Sequence, residues 1–310
     1  MICQLLKQGT TFSFEFFPPK DSAGADRLFE SIVKLEGLGP SFVSITYGAG
    51  GSTRQLTRDV VHKVKVQTGL VTMPHLTCVG HSEGEIDEIL EGYAQRGITN
   101  ILALRGDPPD GCGEVHDWTG EQFENACKLV EHIRGFSDRH RGTGFDGFEI
   151  GVAGFPEGHS GTPNRLKEMD YLKAKVDAGA GFVVTQMFFE NRDYFDFCDR
   201  CSLSGINVPV VAGIMPVQSI SGMKRMADLA LGMRFPASLL RAVRRTDGSN
   251  EAVRRIGVHW ATEQCRDLLD HRARGIHFYT LNQSDATVKI YEALGVSHSQ
   301  QLKDGPVLPF

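Results

Sequence analysis

No segment of the 310-residue chain carries an apolar run long enough to cross a bilayer, and the apolar stretch between Met1 and Thr10 is far too short for a signal-peptide core. A membrane role is therefore not expected, and the expected location is cytoplasmic. Basic charge is not in excess either. The 33 Lys and Arg residues are outnumbered by 38 Asp and Glu, for a formal charge of -5, and they are scattered along the chain. No cationic field is left for nucleic acid or an anionic membrane surface. The seven cysteines are odd in number and lack framework spacing, which points to reduced thiols instead of disulfides. Histidines in H-x-H or H-x-x-x-H pairs are missing, so a metal site has no sequence support.

What the chain does have is the composition of a globular protein with a full core, 41% hydrophobic and 23% charged. Short β-rich runs alternate with longer amphipathic ones from end to end. The strand candidates are Phe12 to Phe17, Phe42 to Tyr47, Val71 to Cys78, Asn100 to Leu104, Phe148 to Phe155, Phe182 to Met187, Val208 to Ile214 and Ile276 to Thr280. Helical patterns separate them: Ala25 to Leu38, Thr57 to Gln67, Ser82 to Arg96, Gln122 to Arg134, Asn164 to Ala178, Tyr194 to Ser204, Ser221 to Leu231 and Ser284 to Leu294. Two more, Ala237 to Arg244 and Glu251 to Leu269, precede the last strand. Ser82 with Glu85 has capping-box spacing, and Gly97, Gly179 and Gly295 stand where C-terminal caps belong. The pattern predicts an α/β fold, a (β/α)8 TIM barrel over residues 1–296 with extra helices before the last strand, followed by a polar tail over 297–310. An open doubly wound sheet has the same periodicity and stays open.

The run Phe14-Glu15-Phe16-Phe17-Pro18-Pro19 sets a carboxylate inside an aromatic strand that ends at two prolines. Strand alternation puts Phe12, Phe14 and Phe16 on one face and Ser13, Glu15 and Phe17 on the other, so a barrel would turn Glu15 inward near its carboxyl end. Barrel enzymes keep their chemistry there. A structural ion pair with an arginine is the alternative for Glu15. The other strand ends are also polar: Thr46 and Tyr47, His75 and Thr77, Arg105 and Asp107, Glu157 and His159, Gln186, and Asn282. The turn from Gly48 to Thr53 is either an anion-binding nest or a tight loop. Arg105 has the fork to hold a phosphate, with Asp107 beside it, or the two form a surface pair. Two motifs are set aside. The G-x-G-x-x-G match over 142–147 precedes a strand instead of following one, and Cys198 with Cys201 has no second pair at zinc spacing.

Together these strand ends resemble the methylenetetrahydrofolate reductase family from Phe12 to about Val296. The matching motifs are Phe14-Glu15-Phe16-Phe17-Pro18-Pro19, Thr46-Tyr47-Gly48-Ala49, Pro74-His75-Leu76-Thr77-Cys78 and Ala103-Leu104-Arg105-Gly106-Asp107. Further along come Ala153-Gly154-Phe155-Pro156-Glu157-Gly158-His159, Thr185-Gln186-Met187-Phe188-Phe189 and His277-Phe278-Tyr279-Thr280-Leu281-Asn282. The resemblance implies an oxidoreductase of one-carbon metabolism that reduces 5,10-methylenetetrahydrofolate to 5-methyltetrahydrofolate. Non-covalent FAD is the implied cofactor, reduced by NADH or NADPH in ping-pong order. Of the family's larger members, only the catalytic barrel is expected here.

By the same resemblance Glu15 is the general acid that protonates N10 of the folate, kept protonated near neutral pH by its phenylalanine neighbours. Asp107 lies beside flavin and pterin and acts with it. Thr46, Tyr47, Ala49, His75, Arg105, Gly106, Asp107, Ala126, Phe155, His159, Glu168, Tyr171 and Lys175 match FAD-side positions. Glu15, Asp107, Gln186 and Gln283 match substrate positions. Some of these depart from the family pattern. Gln283 stands where many members have Arg, Met226 where a bacterial relative has an aromatic, and Glu168 where Asp is usual. Tyr171 and Ala174 replace polar or basic residues. A flavin-free reductase and a non-catalytic folate-binding or partner-dependent subunit are the alternatives. The retention of Glu15, Asp107 and Gln186 together argues against the second. A homo-oligomer is the expected assembly.

Overall fold

The computed structural model describes the chain except for Lys20, residues 48–53, 108–121, Thr143, Leu231 and residues 304–310. Its elements run α1 (Ile2–Gln8), β1 (Thr11–Phe16), α2 (Ser22–Glu36), β2 (Phe42–Ile45), α3 (Arg54–Thr68), β3 (Thr72–Thr77), α4 (Glu83–Gln95), β4 (Asn100–Leu104), α5 (Ala126–His140) and β5 (Glu149–Gly154). They continue with α6 (Arg165–Asp177), β6 (Phe182–Thr185), α7 (Asn191–Leu203), β7 (Val210–Ile214), α8 (Ile220–Leu229), α9 (Ala237–Arg244), α10 (Asn250–Asp270), β8 (Gly275–Tyr279), α11 (Asp285–Ala293) and α12 (Ser299–Lys303). All eight strands are parallel and pair in chain order, with β8 closing on β1. The predicted barrel is the observed one, and the open sheet is ruled out by that closure.

Local sequence explains the element ends. Ser82 and Glu85 form the reciprocal capping box of α4, with Glu85 Oε2 accepting from the Ser82 amide at 2.9 Å. Helix α5 starts at Ala126, later than Gln122, because the Asn125 side chain accepts from the amides of Cys127 and Lys128 and so sets the cap. At the far end of α6, Gly179 has φ of 120° and leaves room for Arg134, whose Nη2 donates to the Gly179 carbonyl at 2.6 Å. The predicted second strand stops at Ile45. Thr46 still donates its amide to the Phe16 carbonyl, but the side-by-side pairing of β1 and β2 ends at Phe16 and Ile45.

The register sorts side chains into two shells. Phe12, Phe14 and Phe16 are buried between barrel and helices, where Phe14 meets Phe278 and Tyr291 at 5.9 and 6.3 Å between ring centres. Inside the barrel the lower half is apolar, made of Phe42, Met73, Leu102, Phe182, Val184 and Val211. Helix α1 closes this end with Ile2 and Leu6, both fully buried. It is tied down where the Ile2 amide donates to Asn100 Oδ1 and the Cys3 amide to Glu149 Oε2, at 3.1 and 2.7 Å. Sequence analysis treated Met1 to Thr10 only as too short for a leader. The isoleucine and leucine at i and i+4 were the available signal for a short amphipathic helix. The expected tail holds a helix, α12: Ser299 on it is buried and donates to the Leu38 carbonyl at 2.7 Å.

The plug makes the barrel floor dependent on seven N-terminal residues. Leu6→Ala is expected to cost about 2–5 kcal/mol in urea unfolding, as a leucine truncated in a closed core does. A loss under 1 kcal/mol would mean that α1 lies on the barrel without sealing it.

Candidate active site

The upper half of the barrel interior is polar. Glu15 pairs in register with Ser44 on one side and Tyr279 on the other, and Ser13 with His277. Strand parity therefore turns Ser13, Glu15, Ser44, His75, His277 and Tyr279 into one space above the apolar floor. Glu15 Oε2 lies 3.3 Å from His75 Nε2 and 3.5 Å from His277 Nε2, and all three side chains are buried. The Thr280 hydroxyl donates to the Glu15 carbonyl at 2.5 Å and fixes the backbone beneath the carboxyl. Gly213 on β7 leaves the space that the Tyr279 ring fills; a Cβ there would lie 2.7 Å from that ring. The Tyr279 hydroxyl donates to the Thr185 carbonyl at 2.6 Å, next to Gln186.

The surroundings of Glu15 correct one expectation. The phenylalanines of β1 point to the helix layer, so they do not line the carboxyl group. Burial pushes the Glu15 carboxyl up, but the hydrogen bonds and charge of His277 and His75 outweigh it and bring it down to about 2. In the ligand-free site Glu15 is a carboxylate. His277 is the partner that sequence analysis missed, because only closure of β8 on β1 brings residues 262 positions apart into contact. It was inside a motif, His277 to Asn282, quoted only for its family likeness.

The remaining strand ends form a second cluster over β4 to β6. Arg105, Gly106 and Asp107 follow β4, with Asp107 exposed. Phe155 and His159 stand edge to face, 4.7 Å between centres, after β5. Burial, then Arg105 and Lys175, hold the His159 imidazole below its ordinary range. Lys175 on α6 donates to the Ala153 carbonyl at 2.9 Å, and burial brings its ammonium down to about 8. Glu168, about two helical turns earlier, is buried with both carboxylate oxygens lacking a hydrogen-bond partner among the described residues, and Arg165 Nη1 stands 3.9 Å from its Oε2. Burial raises its pKa above the usual carboxylate range, against the pull of Arg165 and Arg200. Ala126 opens α5, whose first turn adjoins Lys175 through Cys127.

Other predicted residues lie around these two clusters. Thr46 is buried and Tyr47 half-buried at the end of β2, the Tyr47 hydroxyl 3.1 Å from His81 Nε2. His81 Nδ1 faces the Val79 carbonyl at 2.9 Å and must donate to it, so in the neutral ring Nε2 accepts from Tyr47. Gln186 follows β6, its Oε1 accepting from the Met187 amide at 3.0 Å. Gln283 and Tyr171 are exposed, Tyr171 out on the surface of α6. Met226 is buried in a satellite core with Met187 and Met215. Ala49 and the rest of the turn over 48–53 lie outside the described residues. Asn282, read as a strand-end polar group, instead clasps the strand-one loop: its amide exchanges two hydrogen bonds with the Phe17 backbone at 2.8 and 2.9 Å.

The two motifs set aside behave as read. The 142–147 glycines sit before β5, away from the carboxyl rim, and Cys198 and Cys201 pack on α7, where burial pushes their thiols up to about 11 and about 12.

A parallel closed barrel with its polar interior confined to the carboxyl ends of the strands belongs to the (β/α)8 class that carries its reactive groups on that rim. No helix among the described residues is long and apolar enough to cross a membrane. The sequence profile described as methylenetetrahydrofolate reductase matches residues 2–295, and the chain belongs to that family. Methylenetetrahydrofolate reductase (NADH) 1 of Arabidopsis thaliana is 40% identical over 305 residues, which cover 95% of this chain and 50% of that protein. The 5,10-methylenetetrahydrofolate reductase of Escherichia coli K12 is 36% identical over 284 residues, 92% of this chain and 90% of the relative. The chain thus spans about half the length of the plant relatives and most of the bacterial one. Among solved structures, a Clostridium thermocellum protein that binds two copies of 5-methyl-5,6,7,8-tetrahydrofolic acid superposes with a TM-score of 0.65 at 12% identity, covering 94% of this chain and 98% of that one. At that identity the likeness concerns the fold.

The folded-state pKa of Glu15 lies below its ordinary value of 4.5, so the group contributes stability that is complete above pH 4.5 and is lost as pH falls through about 2. Wild type is therefore expected to lose on the order of 3 kcal/mol more than Glu15→Gln across that interval. Chemical unfolding of both proteins at stepped pH measures it; parallel curves would show that the imidazoles do not stabilise the carboxylate.

Proposed function

We propose that the chain is the catalytic barrel of a reductase that converts 5,10-methylenetetrahydrofolate to 5-methyltetrahydrofolate, with FAD as cofactor and a reduced nicotinamide nucleotide as donor. The observation that carries this is the division of one rim into a proton-handling cluster, Glu15 with His75 and His277, and a cationic cluster, Arg105 with Lys175, beside a buried carboxylate, Glu168, that makes no side-chain hydrogen bond among the described residues. Family membership supplies the reaction class, and the two clusters supply its two needs.

The second cluster fits the dinucleotide. Arg105, Lys175 and the first turn of α5 offer positive charge and amide donors suited to a diphosphate. Glu168 offers two acceptor oxygens in want of donors, which is what the hydroxyls of a ribose provide. Its longer side chain does the work of the aspartate usual at this position. Phe155 and the neutral ring of His159 form an aromatic wall, and Thr46 and Tyr47 after β2, His75 on β3 and Gly106 after β4 are the further residues offered to the cofactor. The bound flavin would supply the hydride-carrying chemistry between nicotinamide and folate. The names of the plant relatives specify NADH, which favours NADH as donor.

The chain's own groups orient the folate and move its proton. The Oε1 of Gln186 is occupied by the Met187 amide, so its NH2 end is the one offered to a pterin acceptor. Asp107, exposed at the rim, accepts from the pterin's donor edge. Glu15 is the group placed to protonate N10 and open the five-membered ring. Tyr171 and Gln283, both exposed, make weak or no contributions to the adenosine and folate-tail ends. Against a flavin-free reductase stands Glu168, whose burial without a hydrogen bond among the described residues has no purpose there.

Purified protein is expected to be yellow, and a colourless protein that passes hydride directly from NADH would favour the flavin-free reading. In single-turnover kinetics Glu15→Gln should leave flavin reduction by NADH intact and slow flavin reoxidation by the folate about 10²–10⁴-fold. Equal loss of both half-reactions would refute the assignment of Glu15. Because Lys175 loses its proton near pH 8 in the free site, FAD affinity should weaken about tenfold between pH 7 and 9. Calorimetry at pH 8 in two buffers of different ionisation heat should show proton uptake on binding; none would place the diphosphate away from Lys175.

A further inference from the structure

The carboxylate state of Glu15 leaves its chemistry incomplete, since an acid needs a proton at neutral pH and this one sits between two imidazoles. His277 is fully buried beside that carboxyl. Interiors of such barrels are normally filled by branched aliphatic side chains, so a histidine with two serines at this level is costly without a use. Its Nδ1 lies 2.7 Å from Ser13 Oγ, and its Nε2 lies 3.3 Å from Ser44 Oγ and 3.5 Å from Glu15 Oε2. Phe42 stacks against one face of the ring at 6.1 Å and 16°, and Tyr279 meets it edge-on at 5.3 Å and 86°. The ring is held in plane, and only its protons can rearrange.

That arrangement accommodates the ring in either protonation state. Ser13 Oγ accepts from Nδ1–H in the imidazolium and in the neutral ring that keeps this proton, so neither state leaves that donor orphaned. Ser44 and Glu15 both present oxygen to Nε2. His75, the other neighbour of Glu15, has its Nε2 3.3 Å from the same oxygen. Among the described residues, the groups facing the Glu15 carboxyl are thus His75 from β3, Ser44 from β2, and His277 and Tyr279 from β8, and the charged ones that act on it are the two imidazoles. Of these, His277 has the Ser13 hydroxyl against its far nitrogen.

We propose that His277 is a positioning residue for the reductase reaction, storing on Nε2 the proton that Glu15 delivers to the folate, with Ser13 accepting from Nδ1–H and so holding the ring in the one tautomer that gives up and takes back the Nε2 proton. In the step, the bond between the methylene carbon and N10 breaks with its electron pair passing to nitrogen. Glu15 takes a proton from Nε2 of His277 and passes it to N10, while the ring keeps its Nδ1 proton, donated to Ser13 Oγ. Solvent restores the ring's proton after product leaves. This rests on the folate-reductase reading, and the coupling within the pair can be measured apart from it.

The first measurement needs no substrate: infrared titration of the apoprotein, with the Glu15 carboxyl band identified by difference against Glu15→Gln. In His277→Asn the protonated band is expected to appear at least about one pH unit higher than in wild type, a tenfold rise in proton affinity. The second is the pH profile of single-turnover flavin reoxidation by methylenetetrahydrofolate, with NADH reduction of the flavin as internal reference. Ser13→Ala keeps the ring and removes the acceptor of its Nδ1 proton, which covers the case in which the histidine variant does not fold. It should shift the profile by about one unit and leave the reference half-reaction in place. An unchanged infrared titration, or reoxidation slowed by one factor at every pH, would overturn the proposal and leave His277 a packing residue. Wild-type protein that is not reoxidised by the folate would refute the reductase reading instead, and the infrared titration would still decide the coupling.

Discussion

The pairing of β1 with β2 on one edge and β8 on the other is the constraint on which the rest of the site depends. Side chains alternate along a strand, so a register shift of one residue would turn Phe14 into the barrel and Glu15 out to the helices. The observed register is held from both shells. Outside, Phe12 and Phe14 pack on Tyr291 and Phe278, and inside, Ser13 and Glu15 meet His277. An aromatic face that is wrong for the interior and a polar face that is wrong for the helix layer select the same alignment.

Within the barrel, polarity is graded along the axis. The lower interior and the α1 plug exclude water from beneath, which concentrates the field of any charge in the layer above. In that layer the chain has placed one carboxylate and two imidazoles within 3.5 Å. Desolvation alone would have kept Glu15 protonated, and the imidazoles win because they supply both hydrogen bonds and charge at contact distance. The consequence is that acidity belongs to the cluster and cannot be assigned to a single carboxyl group.

The second cluster shows the opposite balance. Lys175 is held below its usual range by burial, His159 by burial and like charge, and Glu168 stands above its own through burial, so each is kept from its charged form more than solvent would keep it. A dinucleotide with anionic phosphates and donor hydroxyls would relieve all three strains at once. That complementarity links the local electrostatics to family membership more closely than the fold does, since barrels of this architecture serve many reactions.

Much of this was legible in the chain. Eight strands, their order, the capping box at Ser82 and the inward turn of Glu15 follow from alternation and local chemistry, which act over a few residues and leave a mark in sequence. The site residues also stood out, as polar groups at strand ends. Tertiary structure alone decided which residues became neighbours: His277 beside Glu15, Asn282 clasping Phe17, α1 under the barrel floor and Glu168 buried without a hydrogen bond among the described residues. Periodicity assigns a side chain to a face, but the protonation state of a buried group is set by charges within a few ångströms, and chain closure brings those from hundreds of positions away.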